Sequence, residues 1–150
     1  KVPADIREKT KTYKALVGNV RRRFHGTSCS SACNFFFDLV GGPCSEQACV
    51  VCNICTHGFK VDGFAGRTAK RTAFNLRFGE GLYFSSVSGK ANDYAIGSEK
   101  VDKDGRRVRC MFMASVAVGK PFFTTEGSLP PKLCPPDDYD SVVGQVSEKH

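Results

Sequence analysis

The residues with the greatest chemical capacity in this chain are its cysteines. There are eight in 150 residues, and six of them, Cys29, Cys33, Cys44, Cys49, Cys52 and Cys55, fall in one short stretch. An even number permits disulfides in an oxidising compartment. The tight spacing of Cys44, Cys49, Cys52 and Cys55 points elsewhere, because thiols so close in sequence converge on one ion more readily than they reach distant partners. Cys49-Val50-Val51-Cys52 is the two-residue knuckle typical of a zinc thiolate site. Tetrahedral thiolates suit zinc, and a fully sulfur-ligated ion keeps no open position, so the expected role is structural. Reduced, metal-bound thiols imply an intracellular setting, nuclear or cytoplasmic. Cys110 sits in an alternating apolar stretch and reads as a small core residue. Cys134 lies in a proline loop and carries no assigned role. His57 reads as a surface loop residue, though it is of a ligand type.

A second set of residues is spread over three motifs. The first is Phe24-His25-Gly26-Thr27. The second is Phe78-Gly79-Glu80-Gly81-Leu82-Tyr83-Phe84, followed by Lys90-Ala91-Asn92-Asp93-Tyr94. The third is Tyr139-Asp140-Ser141-Val142. In that order they resemble the signature of the poly(ADP-ribose) polymerase catalytic domain: a strand with His-Gly-Ser/Thr, then Phe-Gly-x-Gly-Ile-Tyr-Phe, then Ser-Lys-Ser-x-x-Tyr, then a Ser-Val loop. Each motif alone is weak. Their order, with the eleven-residue step from Tyr83 to Tyr94, makes the set specific. The resemblance covers residues 21–146, and the cysteine-rich insert after His-Gly-Thr looks like that of fungal members.

The resemblance implies an ADP-ribosyltransferase that cleaves the nicotinamide–ribose bond of NAD and moves ADP-ribose to a protein or nucleic-acid acceptor. It implies an α+β fold with a split antiparallel β-sheet. Gly26 would let backbone approach the nicotinamide carboxamide, where a side chain would block it. Tyr83 and Tyr94 would sandwich the flat ring. His25 would hydrogen-bond a ribose hydroxyl, and Thr27 would offer another hydroxyl to the adenosine ribose. His25 and Tyr83 stand as the first two members of the family's His-Tyr-Glu triad. The third, a Glu that stabilises positive charge in the transition state, is expected on a strand after the Ser-Val loop. The chain stops at His150, short of that strand, and Glu148 is too close to the third motif to serve. Ala91 stands where the family usually has a Ser that donates to the carboxamide, a loss of roughly 0.5–1.5 kcal/mol. Cys33, Cys44, Cys49 and Cys52 match the four metal positions of the fungal pattern, with Cys29 and Cys55 as spares. Two alternatives stand beside this reading. One is a catalytically silent domain of the same fold that binds ADP-ribose, a protein or a nucleic acid. The other is a zinc-dependent nucleic-acid module.

The elements that must hold these residues can be read from periodicity. Residues 6–18 read as a polar helix with Ile6, Tyr13, Leu16 and Val17 on one face. A strand is expected over 22–27, and a cysteine-rich insert with little regular structure over 28–57. Residues 59–69 read as a Gly-punctuated loop, 81–85 as a short strand, 88–95 as a short helix. The clearest strand is 107–118, where Val108, Cys110, Phe112, Ala114, Val116 and Val118 alternate with Arg109, Met111, Met113, Ser115 and Ala117. It is expected inside the sheet, preceded by a turn at Asp102-Lys103-Asp104-Gly105. Pro130, Pro131, Pro135 and Pro136 mark an irregular loop. Strands outnumber helices in this reading.

Length suits one domain, residues 1–150, able to bury a core without staples. Hydrophobic residues at 41% and charged residues at 25% give an ordinary globular balance rather than a disordered one. No stretch is apolar enough to cross a bilayer, and no leader peptide opens the chain. A net charge of +7 favours acidic partners such as a dinucleotide or nucleic acid. Basic residues cluster at Arg21, Arg22 and Arg23 and at Arg106, Arg107 and Arg109. Neither run is interleaved with aromatics as a single-strand binding platform would be, and both read as solvated surface. The chain is expected to act as a monomer, without a membrane partner.

Overall fold

A computed structural model describes residues 18–37, 41–61, 76–129 and 135–145. The 6–17 part of the expected helix, the 62–69 part of the Gly-rich loop, Pro130, Pro131, Cys134 and Glu148 lie outside the described residues.

Six strands and two α-helices follow one another among the described residues: β1 (Val20–Gly26), α1 (Val50–His57), α2 (Ser88–Tyr94), a 3-10 turn (Ile96–Ser98), β2 (Lys100–Val101), β3 (Arg107–Val108), β4 (Met111–Ala117), β5 (Pro121–Thr124) and β6 (Ser141–Gly144). The architecture is mixed α+β, as expected. Its sheets are small: β1 with β4, β2 with β3, and β5 with β6. The described residues group into two compact units. One comprises 18–22, 76–80, 115–129 and 135–145, the other 23–37, 41–61 and 81–114.

The first unit holds β5 and β6. They pair in parallel, Pro121 with Ser141 through Thr124 with Gly144, where a sheet of antiparallel strands was expected. The connection over 125–140 supplies the roughly a dozen or more residues that a parallel crossover requires. Asp140 anchors the start of β6, its carboxylate accepting the Lys120 N–H at 2.8 Å while its own N–H donates to the Lys120 carbonyl. Ser141 Oγ donates to the Val118 carbonyl, and the Tyr139 ring meets Phe122 edge-on. The third motif therefore lies at the entry to a strand and along it, not in a loop. Phe78 packs against Gly144 so closely that a Cβ there would sit 2.7 Å from the ring.

The second unit holds both helices, β2, β3 and the cysteine insert. The insert is more regular than its sequence suggests. Residues 50–57 form α1, a helix made of Val, Cys, Asn, Ile and Thr, all indifferent helix formers. Burial decides the outcome, since Val51 and Cys52 are sealed on its inner face. Asn53 secures the entry to the helix by donating to the Gln47 and Cys49 carbonyls. The core of this unit is Cys33, Cys49, Val51 and Cys52, with Cys29, Phe35, Cys44, Cys110 and Phe112 packed against it.

The predicted strand over 107–118 is real but broken. It divides into β3 and β4 at Arg109-Cys110. The cause is Ser98, whose hydroxyl accepts the Cys110 N–H at 3.0 Å and lies 3.2 Å from the Cys110 carbonyl. The N–H of Cys110 is thereby taken from the ladder. Along β4 the expected alternation holds: Phe112, Ala114 and Val116 are half-buried, while Met111, Met113, Ser115 and Ala117 are exposed. One face is solvated, which differs from the expected interior strand. The turn before β3 forms as read: Asp102 Oδ1 accepts N–H bonds from Asp104 and Arg106, and Gly105 takes φ +79°. No helix among the described residues is long and apolar enough to cross a membrane.

Candidate functional site

Strand β1 carries the first motif, and residues 83–97 run beside it. Phe24 exchanges two backbone hydrogen bonds of 2.8 Å with Ser85. One residue further, the pairing changes character. His25 Nδ1 lies 2.7 Å from the Tyr83 carbonyl oxygen. This is why the strand expected over 81–85 shrinks to a single bridge: the imidazole takes the carbonyl that a ladder neighbour would use. A carbonyl can only accept, so Nδ1 must carry a proton. In the neutral ring Nε2 is then an acceptor, suited to a hydroxyl donor such as a ribose O–H.

The imidazole is held by aromatic walls that sequence reasoning missed. Its ring meets Phe59 edge-on at 5.2 Å and Phe84 at 5.5 Å, and Phe59 touches Phe84 and Phe112 in turn. Phe84 was visible beside Tyr83 in the second motif. Phe59 and Phe112 had no such signal, because they arrive from a loop and from β4.

Gly26 follows on β1. A Cβ there would stand 1.8 Å from the carbonyl oxygen of Ala91 and 2.9 Å from the Ala95 nitrogen. No other residue fits. The close approach expected of Gly26 is made to the backbone of α2, which fixes the strand against the helix that bears Tyr94. Ala91 is 2% exposed on the inner face of α2. Tyr94, at the last turn, is 59% exposed, with Lys90 Nζ 5.4 Å from its ring centre. Tyr83 is 38% exposed. Thus His25, Gly26, Tyr83 and Ala91 are brought together by direct contact, with Tyr94 joined to them through Ala95. Thr27 follows the end of the strand and is half-buried. A shallow hollow of about 460 Å³ lies among Cys29, Ser31, Gly97, Glu99, Lys100 and Val101. None of the motif residues lines it.

The second constellation is the cysteine cluster. The sulfurs of Cys33, Cys44, Cys49 and Cys52 all lie within 4.8 Å of one another. Cys33 Sγ and Cys52 Sγ are 3.4 Å apart, and the Cys44 N–H donates to Cys52 Sγ at 3.2 Å. A tetrahedral ion with Zn–S bonds of about 2.3 Å requires sulfurs roughly 3.8 Å apart, so the donor set and the spacing fit. Cys49 caps α1 and Cys52 lies in its first turn, where the positive end of the helix favours thiolate. Burial pushes the Cys33 and Cys52 thiols up from their ordinary value. Cys49 is drawn down: burial opposes its thiolate, but hydrogen bonds from the Ser30 and Cys52 backbone and from neighbouring thiols outweigh it. Cys29, Cys55 and Cys110 stand outside the four. Cys29 and Cys110 pack against the cluster, and Cys55 is exposed. His57 ends α1 and is exposed.

The second arginine run differs from a bare basic surface in one respect. Arg106 pairs with Asp102 and Asp104, and Arg107 and Arg109 pair with Glu99. The Arg109 guanidinium holds the Glu99 carboxyl below its usual range. The second run is largely neutralised on its own hairpin.

Comparison with known proteins agrees with the motif order. The family described as the poly(ADP-ribose) polymerase catalytic domain matches residues 46–150. The match begins after His25, Gly26, Cys33 and Cys44. A protein mono-ADP-ribosyltransferase, PARP3 of Gallus gallus, is 39% identical over 66 residues, which cover 44% of this chain and 11% of that protein. With most of its length matched, and with the second and third motifs inside the match, the chain belongs to the poly(ADP-ribose) polymerase catalytic domain family.

Proposed function

We propose that the chain is an NAD-dependent ADP-ribosyltransferase whose dinucleotide site is built on His25, Gly26, Thr27, Tyr83 and Tyr94. The observation that carries this reading is the tie between His25 Nδ1 and the Tyr83 carbonyl. It fixes the imidazole tautomer and presents Nε2 to accept a hydroxyl of the adenosine-side ribose. The carboxamide-bearing ring lies between Tyr83 and Tyr94, beside the backbone of Gly26. His25 and Tyr83 act as positioning members of the family triad. The reaction breaks the nicotinamide–ribose bond, releases nicotinamide, and joins the ribose carbon to an acceptor on a protein or nucleic acid. The relative's name speaks of mono-ADP-ribosylation, and a single transfer per acceptor is the reading we adopt. Family membership and the reducing state implied by the thiols support an intracellular site of action, nuclear or cytoplasmic; a monomer is the state we adopt.

Zinc is the metal we assign to Cys33, Cys44, Cys49 and Cys52. When bound, it would cross-link the insert and perform no chemistry on substrate, because four thiolates fill its coordination. A split sheet, antiparallel apart from the parallel β5–β6 pair, is our reading for the whole domain, residues 1–150 with 28–57 as the insert.

A second reading has one observation in its favour. Ala91 is buried where the family donates a hydroxyl to the carboxamide, which suits a silent domain that binds ADP-ribose without transferring it. Calorimetric titration with NAD and with benzamide separates the two. Tyr94→Ala removes a stacking face worth roughly 0.5–1.5 kcal/mol, so both ligands should bind up to about tenfold more weakly. His25→Ala should weaken NAD but leave benzamide unchanged, since benzamide has no ribose. Equal binding by both variants would reject the pocket. Binding of ADP-ribose with no affinity for benzamide would favour the silent domain.

A further inference from the structure

The cysteine cluster and the ring site are joined through one buried residue. Ser98 is 0% exposed. Its hydroxyl donates to the Ala95 carbonyl at 2.7 Å and accepts from the Cys110 N–H at 3.0 Å. On one side, Ala95 is the residue that closes α2, and its nitrogen abuts Gly26. On the other side, Cys110 packs against the core of Cys33, Cys49, Val51 and Cys52. A parallel route runs along the main chain. The Val51 N–H of α1 donates to the Ser28 carbonyl at 3.3 Å, and the Cys29 N–H donates to the Gly97 carbonyl at 3.2 Å. Gly97 itself approaches Ser28 so tightly that a Cβ on it would stand 2.7 Å from the Ser28 Cβ. Residues 95–98 are therefore clamped between the strand that carries His25-Gly26 and the core that would hold the ion.

We propose that Ser98 is a positioning residue that couples metal occupancy of Cys33, Cys44, Cys49 and Cys52 to the binding of a carboxamide-bearing ring between Tyr83 and Tyr94. This deepens the function proposed above and rests on it. Four sulfurs held by an ion fix α1 and the residues beside Cys110. Through Ser98 and Gly97 they fix the end of α2 against Gly26. Without the ion, four closely spaced buried thiols must repack around their protons. Cys110 then shifts, and Ser98 carries the shift to Ala95. Coupling between two sites is reciprocal: the factor by which metal raises ring affinity is the factor by which the ring raises metal affinity.

The test uses the full chain loaded with zinc. Zinc affinity is measured by competition with a chromophoric chelator, with and without saturating benzamide. The expected result is that benzamide tightens zinc binding by about fivefold or more. Ser98→Ala, which removes the hydroxyl, should still bind zinc and benzamide separately while the factor falls to near one. A residue with only a structural role would lower both affinities and leave the factor unchanged, and that outcome overturns the proposal. If Ser98→Ala does not fold, Ser98→Cys, which keeps the size of the side chain and weakens both of its hydrogen bonds, is titrated in its place, and the factor should again fall to near one. Benzamide that binds without altering zinc affinity sinks the coupling and spares the ring site. Benzamide that does not bind at all sinks the ring site and the coupling with it.

Discussion

The cysteine cluster and the ring site are built by opposite means. Three of the four cysteines are at most 1% exposed, and their sulfurs face one another. Tyr83 and Tyr94 stand open to solvent at 38% and 59% exposure. The first constellation is a closed donor set with no room for a substrate. The second is a frame, His25 to Tyr83 and Gly26 to Ala91, beside two exposed tyrosines. A structural metal site and a ligand site differ in just this way, because an ion is satisfied by what surrounds it whereas a substrate must enter and leave.

The largest expected effect lies on the closed side. Cys49→Ser should abolish stoichiometric zinc binding, as read by metal analysis of protein purified without chelator, and should loosen the insert while the strands survive. Acid should act in the same direction. Burial raises the Cys33 and Cys52 thiols, so protons compete with the ion and its retention is lost as pH falls. Full zinc occupancy in Cys49→Ser would mean that Cys29 or Cys55 can replace it, and the assignment of the four ligands would fail.

Gly26→Ala comes next. A methyl group 1.8 Å from the Ala91 carbonyl must drive β1 and α2 apart. Overpacking of this kind typically destabilises by about 1–3 kcal/mol, visible as a lower urea midpoint, and benzamide binding should fall with it. An unchanged midpoint would mean that β1 is not seated on α2 as described.

The smallest effect is a gain. Ala91→Ser places a hydroxyl on the buried face of α2, where the carboxamide is expected. In the free protein that hydroxyl can bond the Val87 carbonyl, one turn back. On binding it would donate to the ligand, strengthening benzamide by roughly 0.5–1.5 kcal/mol, about twofold to tenfold. Weaker binding would show that residue 91 does not face the ring.

Much of both constellations was legible in the sequence, for different reasons. The knuckle Cys49-Val-Val-Cys52 is local, and its spacing already defines one turn of a helix entry. The fourth donor, Cys33, lies further away and was reached through likeness to fungal insertions. His25 and Tyr83 were legible as motif members. Their contact was not, because it pairs a side chain with a main-chain carbonyl and leaves no periodic trace. Helix α1 was missed because its residues have poor helix propensity and only burial forms it. The break between β3 and β4 was missed because Ser98 gives no sign in sequence of where its hydroxyl goes. The pairing of Arg106, Arg107 and Arg109 was within reach: Glu99, Asp102 and Asp104 precede them across a short turn, and a hairpin brings the two sets side by side. The parallel pairing of β5 with β6 had no local signal, since strand direction depends on the path of the connection.

The central claim is transfer of ADP-ribose from NAD at the site framed by His25 and Tyr83. It is tested most directly by incubating the protein in its natural full length with NAD labelled in the adenylate and following both nicotinamide release and label on acceptor. The account predicts release matched by label on an acceptor, and loss of both in His25→Ala at a NAD concentration that still saturates the variant. Positioning errors weigh most on the reacting geometry, so transfer should fall further than binding. Undiminished transfer in His25→Ala, or saturating NAD binding in the wild type with no nicotinamide released, would contradict it.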